Sequence, residues 1–363
     1  MDRYIVCAHS SIGRSHEIKG IKCQDNCYYK VKESIIVAAI ADGLSSSKHS
    51  DIASRIAVKT SVDYCIKHIN HKDKEDKILG IIKKSFEQSL YQIELEAGED
   101  DLNFYDTTVS AAVIKDQNLY YGQIGDSGII ALLQNGKFER ITDAQNGEGI
   151  GKDKPVYPLA ATDKWIFKRY ENKVNSIYLA TDGVLKHLQP PLLEGHSYTL
   201  NHRYLSWIYN KLMKREVDSF LWIKEEVEKL KPENVDFDDK TLVVIINKKG
   251  LISTQTLEYY NFPSPELWEK LLKRNEAKLY PYRYNKIQPK TENIEGKNEL
   301  KKLLSNETIQ TESVSNKNIK TKEKINLKNN KSFLDQNNKY YYLSLGLLMT
   351  YIVFLFLFFL RIL

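Results

Sequence analysis

The chain has 363 residues, 42% of them hydrophobic and 28% charged, with a formal net charge of +6. That length and apolar content suit one large globular domain with appendages. The basic excess is modest and its Lys and Arg residues form no patch interleaved with aromatics, so no nucleic-acid partner is expected. Cys7, Cys23, Cys27 and Cys65 form no CxxC pair and meet no His pair at zinc spacing. They read as reduced, partly buried thiols of a cytosolic domain. The start of the chain, Met1 to Val6, lacks the apolar core of a signal peptide.

In chain order, a Cys27–Val31 run follows Gln24-Asp25-Asn26, and Ser34 to Ala41 is a short apolar run of the buried-strand kind. Helical patterns cover about 51–68 and 75–97. In the second, Ile78, Ile81, Ile82, Phe86, Leu90 and Ile93 recur at helical spacing. Strands are expected over 107–114 and 119–124, with 115–118 as their turn. Runs at 129–133 and 137–141 flank Asn135-Gly136, a hairpin signal in which both turn positions take positive φ. Strands at 176–180 and 241–246 bracket helices at about 200–213 and 219–231. Many hairpin-linked strands with helices inserted in pairs predict an α+β domain over 1–250, not a βαβ parallel sheet.

Beyond that domain the composition shifts. Residues 251–284 carry Pro and aromatics, as in Tyr259-Tyr260-Asn261-Phe262-Pro263, and either pack on the domain or bind a partner. Residues 285–339 are rich in Lys, Asn, Glu, Ser and Thr and bury too little apolar surface to offset chain entropy, which predicts a disordered linker. Tyr340 to Leu360 contains no charged side chain. About 20 such residues span a hydrocarbon core of roughly 30 Å, so 340–363 reads as a transmembrane tail anchor in membrane lipid. Tyr340, Tyr341 and Tyr342 suit the headgroup level. Lys317, Lys320, Lys322, Lys324, Lys328, Lys331 and Lys339, against Glu323 and Asp335, favour a cytoplasmic flank and so a cytoplasmic catalytic domain.

The chemistry lies in the acids. Asp25, Asp42, Asp126, Asp182 and Asp238 each sit at the end of an apolar strand run. One such Asp is a turn residue, but five suggest carboxylates gathered at one sheet edge. Gathered carboxylates repel and raise one another's pKa unless a cation neutralises them. Hard oxygen ligands suit Mn²⁺ or Mg²⁺, and two such ions about 4 Å apart can clamp a phosphoryl group around a bridging hydroxide. Other phosphatase chemistries lack their signatures, since the chain has no DxDx(T/V) run and no Cys-x5-Arg.

The motifs Gly13-Arg14-Ser15-His16, Cys23-Gln24-Asp25-Asn26, Ala41-Asp42-Gly43-Leu44, Asp106-Thr107-Thr108, Gly125-Asp126-Ser127, Thr181-Asp182-Gly183 and Asp238-Asp239-Lys240-Thr241, in that order, resemble the bacterial branch of the metal-dependent type 2C protein phosphatases. The resemblance covers about residues 3–248. It implies a four-layer α-β-β-α sandwich of two antiparallel sheets flanked by helix pairs. It also implies that Asp42 bridges two metals and the Gly43 carbonyl supplies an oxygen. Asp182 and Asp238 would hold the first metal, Asp25 would sit near the second through water, and Asp126 with Asp182 would bind a third, weaker ion. The substrate would be a phosphorylated protein and the natural counterpart a cognate kinase.

The chain departs from the family where an Arg usually holds the phosphate, a position taken here by Gly20. Arg14 and His16 are the best replacements, with Lys19 and Lys22 also near. Arg offers a fork to phosphate, and a His of near-neutral pKa can protonate a leaving alkoxide. An Asp usual soon after Asp182-Gly183 is replaced around Lys186 and His187, Asp106 stands for a Gly, and Gly128 stands for a frequent Arg. The Gly147-x-Gly149-x-Gly151 stretch reads as part of a mobile flap over 143–164. Two functions follow: a membrane-anchored phosphoserine/phosphothreonine phosphatase, or a catalytically silent domain of the same fold used as a scaffold.

Overall fold

The computed structural model describes residues 3–146, 156–189, 199–214, 218–230 and 238–279. The chain divides into two units, 1–288 and 289–363, and every described residue lies in the first. The linker and spanning helix expected over 285–363 therefore lie outside the described residues. Among those described, no helix is long and apolar enough to cross a membrane.

The elements run β1 (Tyr4–Ser11), α1 (Arg14–Lys19), β2 (Asn26–Lys32), β3 (Ile35–Ala41), α2 (Ser50–His68), α3 (Glu75–Ala97), β4 (Val109–Lys115), β5 (Asn118–Ile124), β6 (Gly128–Leu133), β7 (Phe138–Arg140), β8 (Ile166–Arg169), β9 (Val174–Ala180), α4 (Asp182–Leu188), α5 (His202–Met213), α6 (Ser219–Lys229), β10 (Lys240–Asn247), α7 (Leu257–Asn261) and α8 (Pro265–Leu279). Two five-stranded sheets result, in the orders β1-β10-β9-β6-β7 and β2-β3-β4-β5-β8, and every pairing is antiparallel.

Antiparallel strands usually alternate apolar and polar because one face meets water. Here the central strands are apolar throughout, because both faces are covered. Ile35, Val37, Ala39 and Ala41 of β3 pack with Ala53, Ala57 and Val62 of α2 and Ile78, Ile82 and Phe86 of α3. The intervening Ile36, Ala38 and Ile40 meet Ile129, Ala131, Ile177, Leu179, Val243 and Ile245 of the opposite sheet. The far face of that second sheet, with Ile130, Tyr178, Leu242 and Val244, is capped by Val184 and Leu188, Leu205 and Ile208, and Ile223 and Val227. The layers are thus helix, sheet, sheet, helix. The second outer layer departs from the expected pair: α4, α5 and α6 all contribute, because three short helices are needed to cover what α2 and α3 cover with long ones.

Two further differences concern turns and the extension. Gly136 has φ 81°, but Asn135 does not share its positive φ. The Asn135-Gly136 hairpin has a three-residue loop, with Gly136 N–H donating to Leu133 O and Leu133 N–H to Lys137 O. Such a loop needs only its last residue in the left-handed region. The turn with two positive φ values is Asp116-Gln117, at 52° and 66°. Residues between Ile252 and Leu271 pack on the domain. Phe138 N–H donates to the Tyr259 hydroxyl at 2.7 Å, the His202 ring stacks on Tyr259 at 4.2 Å, and Trp268 and Leu271 are buried.

Candidate active site

Strand register brings the acids together. Asn26 pairs with Ala41, and Val109 with Ile124, so Asp25, Asp42, Thr108 and Asp126 leave their strands at the same end of one sheet. In the other sheet Leu242 and Gly128 both pair with Ala180, and Ser11 with Lys240. Asp182, Asp238 and Gly13 therefore leave at one common end as well. The two ends are the same end of the sandwich, because the Thr181 hydroxyl donates to Asp25 Oδ2 across the sheets at 2.7 Å.

Each acid is fixed by local backbone chemistry. Asp42 N–H donates to Thr108 Oγ1 at 2.9 Å, while Thr108 N–H and the Thr107 hydroxyl donate back to the Asp42 carbonyl at 2.8 and 3.1 Å. Gly43 N–H donates to Gln24 O at 3.1 Å, which ties the segment after β3 to the one before β2. Asp182 opens α4. The next residue must be glycine, since a Cβ on Gly183 would overlap the Asp239 carbonyl.

The acids perturb one another. Burial first, then the charges of Asp25, Asp182, Asp126 and Asp238, hold the Asp42 carboxyl well above the usual carboxylate range. Asp182 is likewise raised, by burial and then by Asp238, with Lys186 opposing and Asp126 and Asp25 adding. Burial pushes Asp25 up to about 8, against the Thr181 hydrogen bond. Burial pushes Asp126 up to about 6, opposed by its own backbone N–H and by Arg140. Asp42 and Asp182 are only half-buried by surface area, yet desolvation still dominates at their carboxylates.

These acids fit a hard cation in chemistry and not yet in closure. Asp25 Oδ1 and Asp182 Oδ1 are buried without a hydrogen-bond partner, and both atoms are acceptors of the kind that Mg²⁺ or Mn²⁺ takes. Among the described residues, however, no three His, Cys, Asp or Glu side chains stand close enough to hold an ion. The acids feel one another's charge without closing into a ligand shell.

Among the candidates for the phosphate, the structure separates His16 from the rest. Arg14, Lys19 and Lys22 are exposed, and Lys22 Nζ lies 3.9 Å from Asp51. His16 is buried, with Nδ1 3.0 Å from Asp239 Oδ2. Asp239 is the residue that motif matching passes over. Only 2% exposed, its carboxylate accepts from Gly13 N–H at 2.6 Å and Gln24 N–H at 2.5 Å as well as facing His16. It therefore pins both ends of the 13–24 segment, α1 included, beside the acids. The available signal was a second Asp directly after Asp238. Gly147, Gly149 and Gly151 lie outside the described residues. Within the flap expected over 143–164, Asn146 and Val156 form a β-bridge, and Leu159 N–H donates to Thr107 O at 2.7 Å.

The family description "Protein phosphatase 2C" matches residues 12–220. No curated protein matches the chain. Among solved structures, the serine/threonine phosphatase Stp1 from Staphylococcus aureus is 14% identical with a TM-score of 0.45, over 66% of this chain and 94% of that one. The S. agalactiae serine/threonine phosphatase is 16% identical with a TM-score of 0.45, over 67% and 99%. RsbX in complex with magnesium is 13% identical with a TM-score of 0.40, over 68% and 96%. With the match to the family spanning more than half the chain and the acids of its motifs gathered at one end of the sandwich, the chain belongs to the protein phosphatase 2C family of metal-dependent phosphoprotein phosphatases.

Proposed function

We propose that the chain hydrolyses phosphoserine and phosphothreonine esters of proteins at the acidic end of the sandwich, while held at a membrane by residues 340–363. The observation that carries the catalytic reading is the gathering of Asp25, Asp42, Asp126 and Asp182 at one end of the sandwich, with Asp25 Oδ1 and Asp182 Oδ1 buried and unpartnered, a concentration of carboxylate that a divalent cation would neutralise. Asp42, Asp182 and Asp238 are the residues that would hold two Mn²⁺ or Mg²⁺ ions, with the Gly43 carbonyl and Asp25 beside them and Asp126 at a third position. Bound there, such ions supply Lewis-acid charge for phosphoryl transfer and lower the pKa of water.

The chain's own residues do the rest. Thr107 and Thr108 hold the Asp42 backbone, and Thr181 holds one Asp25 oxygen while leaving the other free. Asp239 sets the orientation of His16, and with Nδ1 facing that carboxylate, His16 is placed to bind the phosphoryl oxygens or hand a proton to the leaving alkoxide. Arg14, exposed two residues before His16 on α1, suits the phosphate of an incoming peptide. The silent-scaffold reading rests on the Gly20 substitution at the usual Arg position and on the altered residues after Asp182, around Lys186 and His187.

Hydrolysis of a generic aryl phosphate with and without Mn²⁺ separates the two readings: turnover that needs the ion supports the enzyme, and none under any metal supports the scaffold. The membrane reading is supported by the charge-free run Tyr340–Leu360 and its Lys-rich flank. Full-length protein should resist carbonate extraction while a chain ending at Asp335 stays soluble. Release of the full-length protein by carbonate would rule out the spanning helix.

A further inference from the structure

The segment from Gly13 to Gln24 is pinned at both ends and exposed in its middle. Gly13 N–H and Gln24 N–H both donate to the Asp239 carboxylate, next in sequence to Asp238, and His16 turns inward onto the same group. Gln24 O also accepts from Gly43 N–H, directly after Asp42. The segment is therefore part of the rim of the acidic end.

Its middle ends in a defined turn. Gly20, at φ 65°, donates its N–H to Glu17 O at 3.2 Å, and Ile21 N–H donates to His16 O at 2.9 Å. In this Schellman arrangement the residue after the left-handed glycine commonly packs an apolar side chain against the residue five before it. Here that residue is His16, which is committed to Asp239, and Ile21 stays 38% exposed. Ile18 is 73% exposed. It follows Arg14 by four residues and so shares that residue's face of α1.

Single exposed apolar side chains are common on soluble proteins. These two stand on one short turn whose backbone is already fixed, so covering them costs little ordering of the chain. Around them Arg14, Lys19 and Lys22 are exposed against Glu17, with Lys22 Nζ 3.9 Å from Asp51. A rim that is both apolar and basic complements an acidic peptide with an apolar side chain. Ile18 lies five residues beyond Gly13, about 8 Å at the helical rise. An extended peptide, at about 3.3 Å per residue, covers that span in two to four residues.

We propose, resting on the reading of the acidic end as a phosphopeptide site, that Ile18 and Ile21 form a docking step for the substrate. The step takes an apolar side chain two to four residues from the phosphoresidue, with acidic neighbours meeting Lys19 and Lys22.

The test is fluorescence anisotropy of labelled thiophosphothreonyl peptides, which turn over slowly, with the full-length chain in detergent and Mn²⁺. Two peptides carry Leu and Glu at two to four residues, one on the N-terminal flank and one on the C-terminal flank. A reference peptide carries Ser and Gln there. One flanked peptide should bind about tenfold more tightly than the reference, the scale of one buried aliphatic side chain. Ile18→Ser combined with Ile21→Ser should remove that gain and leave the reference affinity unchanged, with thermal unfolding checking the fold. Leu251→Ser, at an exposed position elsewhere, should keep the gain. Equal affinity for all three peptides, or the full gain retained in the folded double variant, would overturn the docking step. Aryl phosphate hydrolysis on the same samples tests the catalytic reading separately. Hydrolysis without peptide preference sinks the docking step alone, and preference without hydrolysis sinks the catalytic reading alone.

Discussion

Nδ1 of His16 lies 3.0 Å from Oδ2 of Asp239, and both side chains are buried. The same carboxylate takes the N–H groups of Gly13 and Gln24. One side chain from the start of β10 therefore shapes the whole segment between β1 and β2. An amide at this position offers a single acceptor oxygen and turns its NH₂ toward one of these donors. Asp239→Asn should lower the unfolding free energy by about 1–3 kcal/mol. Combined with His16→Ala, it should show a coupling of about 0.5–3 kcal/mol in urea unfolding carried out in chelator. Strict additivity would mean that the contact does not bind the two residues together.

The crowded acids give a prediction whose sign is opposite for stability and for activity. Because Asp42 and Asp25 have raised pKa values in the fold, their contribution favours folding below about pH 4 and is lost as pH rises through the folded values, about 8 for Asp25. In chelator, Asp42→Asn should therefore raise Tm at pH 8, by roughly 2–4 °C per kcal/mol of relieved repulsion. The gain should shrink as pH falls toward 4. The same variant should lose phosphate-ester hydrolysis in Mn²⁺. A variant less stable than wild type in chelator at pH 8 would show that the acids are not under mutual strain.

Acid sensitivity should come from a buried imidazole outside the acid cluster. His202 stacks against Phe138 and Tyr259, and burial lowers its pKa to about 4. Its neutral form stabilises the fold above about pH 6.5, and that stability is lost as pH falls through the folded value. His202→Phe should flatten the decline between pH 6.5 and 4 by on the order of 2 kcal/mol, read by guanidinium unfolding across pH. An unchanged slope would place the acid response elsewhere.

Legibility in the sequence followed burial. Strands covered on both faces, such as Ile35–Ala41 and Lys240–Asn247, announce themselves as unbroken apolar runs. Two of the edge strands do not: β1 ends in His9-Ser10-Ser11, and β8 is four residues ending in Lys168-Arg169. Helices shorter than two turns, α1 and α4, show no periodicity to read, although α4 carries Asp182. The metal-type acids were legible because each sits beside a glycine, an Asx turn or a strand end in a recognisable order. Asp239 was not, because its role depends on Gly13, His16 and Gln24, all more than 200 residues away in sequence. Positive φ at Asp116-Gln117 was invisible without a glycine to mark it.

The most direct measurement is phosphate release from a phosphothreonyl peptide by the full-length chain, with Asp182→Asn in parallel. Release should require Mn²⁺ or Mg²⁺, stop on adding EDTA, return with excess metal, and fall by at least about 100-fold in the variant, the scale expected when charge stabilisation of a phosphoryl transition state is lost. Release that continues undiminished in EDTA, or at wild-type rate in Asp182→Asn, would contradict the assignment of the acidic end as the catalytic centre.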